Sequence, residues 1–270
     1  MKSGTHPTRH DHRDYDYLKT RKLTGVPATM PDNYSVDAGL RVPNQEAVDN
    51  NFNPSVMPMP YGCTNYAQCE ICADEDAVLY NPQYLENITH ANANGGADVR
   101  VSLDAVVNKG VQDQQGNINN TGHPAYFNIK PSGAIDAFDA TRLAMLSTSS
   151  EKRGVSVGSP YWLQWNATGP NGITPPPDYD LQFASWHNWV VKGWKTIDNT
   201  VYLVCQMLQG ASYGDKGFVY IPREVFNATI AVNGSILFTI DKLMPGEKVE
   251  TISLPFIDAI VSYIRRLFNL

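Results

Sequence analysis

Apolar residues recur at helical spacing through the first half of the chain and alternate with polar ones through the second. Pro58 and Pro60 cannot sit inside a helix and Gly62 breaks the entry, so a first helix is predicted to begin at Cys63 and to end before Pro82. Val99, Leu103, Val106 and Val107 predict an amphipathic helix over 98–109, closed by Gly110. A third helix is predicted over 134–146, with Asp136 or Asp139 favourably placed at its N-terminus. The stretch after Pro82, which contains Gly95 and Gly96, and residues 112–120 read as loops. From Arg153 onward the period changes. The run G-V-S-V-G-S-P-Y-W-L-Q-W alternates as a strand does. Residues 186–194 and 201–208 predict two strands paired about the turn T-I-D-N, 217–221 another, and 230–241 one or two more. Helices first and strands afterwards predict an α+β fold rather than alternating βαβ units.

The flanks differ from this middle. Residues 1–44 are charged, rich in Tyr and poor in aliphatic clusters, and read as an extended arm lying on a surface. Residues 45–230 read as the main domain, and 231–270 as a C-terminal extension. Within that extension, Phe256, Ile257, Ile260, Val261, Ile264 and Leu267 predict an amphipathic helix that docks on protein, since Arg265 and Arg266 alone are weak evidence for lipid. Both flanks suit joining an assembly.

Composition narrows the functional classes. The 270 residues carry a net charge of −6 with no Lys/Arg stripe, which argues against a nucleic-acid partner. The four cysteines, Cys63, Cys69, Cys72 and Cys205, do not form a disulfide framework. Cys69 and Cys72 lie inside the first helix with no second pair at zinc spacing, so they are expected to pack, and no metal or cofactor is expected. His6, His10 and His12 are terminal and expected to be solvated. Residues 1–16 are too polar for a signal peptide, and no run approaches the roughly 20 apolar residues of a membrane span. A cytoplasmic or phage virion-associated protein is expected.

Cys63 carries the candidate chemistry. The first N–H groups of a helix have no intrahelical partner, and the macrodipole adds positive potential there. A thiol at that spot can ionise near neutral pH and act as a nucleophile; the plainer reading is a small buried residue. Cysteine catalysis also needs a base, a group to orient that base, and oxyanion donors. His187, at the start of an apolar strand, is the candidate base.

Four segments in order resemble the papain-like cysteine peptidases. Y-G-C-T-N-Y-A resembles that family's catalytic-cysteine helix, and G-G-A-D-V-R-V-S-L-D-A-V-V-N-K-G-V its Gly-Gly loop, helix and closing glycine. H-N-W-V-V-K-G-W resembles the histidine strand, and G-A-S-Y-G-D-K-G-F-V-Y-I the glycine-rich hairpin. The resemblance implies a two-lobed fold, with a helical lobe carrying Cys63 and an antiparallel β lobe or barrel carrying His187. It implies a cysteine endopeptidase in which the Cys63 thiolate attacks a peptide carbonyl and His187 serves as acid and base. Gln45 would be the oxyanion donor if residues 47–60 are an insertion. Gly95, Gly96 and Trp186 would contact substrate. The orienting Asn of the family falls on Met207, whose side chain cannot hold an imidazole. Gln206 or Gln209 could take its place, and strand alternation favours Gln209. The loss of that Asn also leaves open a catalytically weak or inactive papain fold used as a structural or binding module, as in a phage particle. A third reading is a cell-wall peptide amidase or endopeptidase.

Overall fold

A computed structural model describes residues 15–23, 25–27, 29–37, 39, 62–89, 97–120, 125–147, 153–180, 183, 185–210 and 212–241. Gln45, Gly95, Gly96, the three terminal histidines and the predicted helix over 255–270 lie outside the described residues. The chain runs through β1 (Tyr15–Asp16), α1 (Tyr17–Thr20), β2 (Tyr34–Ser35), α2 (Cys63–Asp76), α3 (Pro82–Thr89) and α4 (Val99–Lys109). There follow β3 (Val111–Gln112), β4 (Ile118–Asn119), β5 (Ala125–Asn128), α5 (Ala137–Ser147) and β6 (Val155–Tyr161). After a 3-10 turn at Leu163–Ala167 come β7 (Ser185–Ile197), β8 (Thr200–Gln206), β9 (Phe218–Pro222), α6 (Arg223–Ala231) and β10 (Ile236–Asp241).

Local chemistry sets most of these boundaries. The predicted first helix stops short of Pro82, at Asp76, where Ala77 turns left-handed. Asn81 then starts a helix the pattern had not separated: its Oδ1 accepts from the Gln83 N–H at 3.0 Å, and Pro82 takes the first position, where a missing N–H costs nothing. Asp98 caps α4 through the Arg100 N–H at 2.7 Å, and Gly110, at φ 75°, ends it. Asp136 caps α5 by accepting from the Asp139 N–H at 2.8 Å. Asp198 and Asn199, both at positive φ, make the tight turn of the β7–β8 hairpin. The expected loop over 112–120 holds the small β3–β4 hairpin, and α6 fills the stretch left unassigned between the strands predicted over 217–221 and 230–241, taking residues 230 and 231 from the second.

The strands order as β1-β5-β10-β6-β7-β8-β9, with β2 also on β7; β1 and β5 run parallel and the other pairs antiparallel. The path is open, so the β half is not a closed barrel. Alternation on β7 divides the interior in two. Trp189 and Val191 enter a hydrophobic cluster with Tyr17, Phe138 and Phe226, whereas Val190 enters one with residues of α2 and α4 such as Ile71, Cys72 and Leu103. Cys69 and Cys72 are free thiols packed in that second cluster.

The N-terminal segment is more than a surface arm. Tyr17, Leu18 and Val36 are buried, and Tyr17 donates to Asp241 Oδ2 at 2.7 Å. Arg21 reaches the same oxygen at 2.6 Å. Tyr34 stacks on Trp194 with ring centroids 4.7 Å apart, and Gly193 lets β2 approach because a Cβ there would collide with the Tyr34 carbonyl. Aromatic side chains supply the burial that the absence of aliphatic clusters had seemed to deny. At the other end, β10 lies between β5 and β6, so residues 236–241 belong to the sheet rather than to an extension. No helix among the described residues is long and apolar enough to cross a membrane.

The helix bearing Cys63 is fixed to β7 by polar groups. Lys192 Nζ donates to Glu70 Oε2 at 3.1 Å and to Asp74 Oδ2 at 2.5 Å, all three side chains being fully enclosed. Burial works against the ammonium, but the two carboxylates more than offset it and hold the lysine above its ordinary value. Nearer the helix N-terminus, Gln68 Nε2 donates to Ser156 Oγ at 3.0 Å and Asn188 Oδ1 at 3.3 Å. Removing one partner of a buried ion pair strands the other charge and costs about 3–5 kcal/mol. Lys192→Ala is therefore expected to lower the unfolding free energy by that amount, read from the denaturant midpoint at unchanged slope.

Candidate active site

Cys63 is the first residue of α2, half buried, and Gly62 before it offers no capping side chain. The thiol is pushed up to about 11 by burial, against the opposing pull of the Asn188 backbone N–H and the Thr64 hydroxyl and amide; the Glu86 carboxylate adds to the rise through space. The helix terminus was expected to bring the thiol toward neutrality, and enclosure outweighs it. The helix that Cys63 begins lies against β7, where Gln68 Nε2 donates to the side chain of Asn188, the residue directly after His187.

His187 is held by a group no side-chain comparison would find. Its Nε2 is 2.7 Å from the main-chain carbonyl oxygen of Met207. A carbonyl only accepts, so Nε2 carries the hydrogen and Nδ1 keeps a bare lone pair. The Met207 side chain itself is buried in the hydrophobic cluster. The carbonyl comes within reach because the chain leaves β8 through a bend, Leu208 taking a left-handed φ of 60° and Gly210 one of 94°. Tyr161 meets the imidazole edge-on, with centroids 5.7 Å apart. Burial lowers the imidazole to about 4, opposed by its bond to Met207.

The other expected residues are less close to this geometry. Gln209 does not orient His187: its Oε1 accepts from the Tyr161 hydroxyl at 3.4 Å, because the bend at Leu208 breaks the alternation that would have aimed it at the ring. Gln206 is buried with neither end of its amide hydrogen-bonded. Trp186 stands beside His187 on β7 and packs against Phe183 with centroids 5.7 Å apart. Asn188 and Tyr161 had not been singled out, and nothing in their local sequence marks them. Among the described residues, no three His, Cys, Asp or Glu side chains converge as a metal site would require.

By sequence, the chain matches no family model and none of the curated proteins. Its fold does match solved structures. Xylellain, a cysteine protease from Xylella fastidiosa, superposes with a TM-score of 0.66 at 13% identity, over 90% of this chain and 96% of that one. The bromelain protease from Ananas comosus, in complex with the E64 inhibitor, gives 0.53 at 15% identity, over 78% and 99%. A procathepsin B from Trypanosoma congolense gives 0.53 at 11% identity, over 87% and 81%. The fold is that of the papain-like cysteine peptidases. Within this fold Cys63 is the first residue of α2, His187 is the third residue of β7, and the carbonyl that faces His187 is that of Met207.

The tautomer is directly measurable. Nitrogen-15 NMR of His187 is expected to show Nε2 protonated and Nδ1 unprotonated from about pH 5 upward, since the ring titrates at about 4. A ring protonated at Nδ1 in that range would remove Met207 from the site.

Proposed function

We propose that this protein is a papain-like cysteine peptidase that hydrolyses peptide bonds through Cys63 and His187. The single observation carrying the reading is the bond from His187 Nε2 to the Met207 carbonyl, which leaves the Nδ1 lone pair available as a base. In the resting state both groups are uncharged. As a peptide carbonyl approaches, the Cys63 proton moves to His187 Nδ1, the sulfur–carbon bond forms, and the carbonyl electron pair moves onto oxygen. The Cys63 N–H at the helix start stabilises that oxyanion together with the Gln45 side-chain amide. The intermediate collapses, the C–N bond breaks, and the imidazolium gives its proton to the leaving amine. Water then loses a proton to Nδ1, attacks the thioester and releases the thiol and a carboxylic acid.

A second reading is a papain fold kept as a weakly active or inactive binding module. The observation favouring it is the enclosure that raises the thiol and lowers the imidazole, so that no thiolate–imidazolium pair stands ready.

The sign of the pH dependence follows from which form works. His187 accepts a proton only when unprotonated, so activity is present above its value of about 4 and lost as pH falls through it. The thiol is the resting form below about 11, so no alkaline limb from Cys63 is expected under that pH. For a peptide found by library screening, kcat/KM should show an acid limb near pH 4, and Cys63→Ala should reduce turnover to background. Full turnover by Cys63→Ala would end the peptidase reading.

A further inference from the structure

A single hydrogen bond fixes one atom of a ring and leaves the ring's plane free to swing about that atom. The hydrogen bond of the His187 imidazole is the one from Nε2 to the Met207 carbonyl. An imidazole that carries a proton away and brings it back must keep Nδ1 aimed throughout, and a misplacement of about 1 Å can cost about a hundredfold in rate. A second constraint comes from β6. On the β6–β7 ladder Ser159 lies opposite His187 and Tyr161 opposite Ser185, which makes Tyr161 and His187 diagonal neighbours on one face of the sheet. Their rings meet at a centroid distance of 5.7 Å and an angle of 85°, the edge-to-face arrangement that aromatic pairs favour.

Tyr161 is itself held from both ends. Its side chain is buried, and Trp165 packs against the ring at 5.8 Å and 89°. Its hydroxyl donates to Asn166 Oδ1 at 3.1 Å, and the Tyr213 hydroxyl and Gln209 Oε1 stand at 3.3 and 3.4 Å. Tyr213 in turn donates to the Trp165 carbonyl at 2.6 Å. Gln209 and Tyr213 lie just past the bend at Leu208 that brings the Met207 carbonyl to Nε2. The ring of Tyr161 thus reaches the imidazole, while its hydroxyl reaches the segment that supplies the imidazole's hydrogen-bond acceptor. Volume alone does not account for a tyrosine here, because phenylalanine would fill the same space with no hydroxyl to satisfy in the interior. We propose that Tyr161 is a positioning residue for His187: its ring sets the plane of the imidazole, and its hydroxyl ties that ring to the segment carrying the Met207 carbonyl. The consequence for turnover rests on the peptidase reading; the orientation of the ring does not.

Two substitutions in the full chain test this. Tyr161→Leu removes the ring, Tyr161→Phe keeps the ring and removes the hydroxyl, and denaturant curves establish the conditions in which each is folded. The first readout is nitrogen-15 NMR of His187 above pH 5. In Tyr161→Leu a tautomer protonated at Nδ1, not expected in the parent, should reach about a tenth of the population. In Tyr161→Phe the parent tautomer should persist while the Nε2 proton exchanges with water about fivefold faster. The second readout is turnover of a peptide that the parent cleaves. Tyr161→Leu should lower kcat about tenfold with KM unchanged, since Tyr161 acts through His187 and not on substrate. A tyrosine with a merely structural role would lower the denaturant midpoint and leave tautomer, proton exchange and kcat of the folded protein where they were. A folded Tyr161→Leu with the single parent tautomer overturns the proposal. Should that variant not fold, Tyr161→Phe with the parent's exchange rate overturns it. If both NMR signatures move as expected and the parent cleaves no peptide, positioning by Tyr161 stands and the peptidase reading falls.

Discussion

Lys192 lies with its ammonium enclosed between Glu70 and Asp74, and through it the helix that begins with Cys63 is fixed to the strand that bears His187. A helix can slide or rotate on a sheet when only apolar side chains lie between them. A buried charge cannot, because displacement would leave it unpaired in a medium that does not solvate it. Gln68, bridging Ser156 and Asn188, adds a second fixed point nearer the helix start. The start of the helix is thereby held against the part of β7 that carries His187 and Asn188. These contacts make the site a property of the α2–β7 junction rather than of either element.

The other half of the site depends on a bend. Each residue carries a main-chain carbonyl, so the acceptor for His187 is supplied by backbone path and not by residue type. Leu208, in a left-handed conformation that a non-glycine residue adopts at some cost, turns the chain out of β8 and brings the Met207 carbonyl to Nε2. The cost is of the kind retained where the surrounding packing determines it, and here Met207 and Leu208 are both buried.

This explains what could be read from the sequence. The start of α2 was legible because Pro58, Pro60 and Gly62 exclude a helix before Cys63, and α4 because Asp98 and Gly110 bracket a regular apolar stripe. Cys63 and His187 could be named as candidates because a nucleophile and a base must be particular residue types. The orienting group was not, because a comparison of side chains at Met207 sees only a thioether. The inference that Gln209 replaces the missing Asn assumed an unbroken strand, which the bend at Leu208 removes. The N-terminal segment was misjudged because Tyr17 and Leu18 bury area without an aliphatic pattern. α6 drew no expectation because its nine residues offer only Val225, Phe226, Thr229 and Ile230 as an apolar pattern, too short to separate helix from strand until packing decides.

The account stands on His187 acting as the base for Cys63. The most direct test is the rate of Cys63 alkylation by iodoacetamide at pH 7, in the parent and in His187→Ala, with the buried Cys205 as the internal reference. A positioned base should make Cys63 react well ahead of Cys205, and its loss should slow Cys63 on the order of a hundredfold. Equal rates with and without His187 would contradict the account and leave a papain-like fold in which these two residues do no shared chemistry.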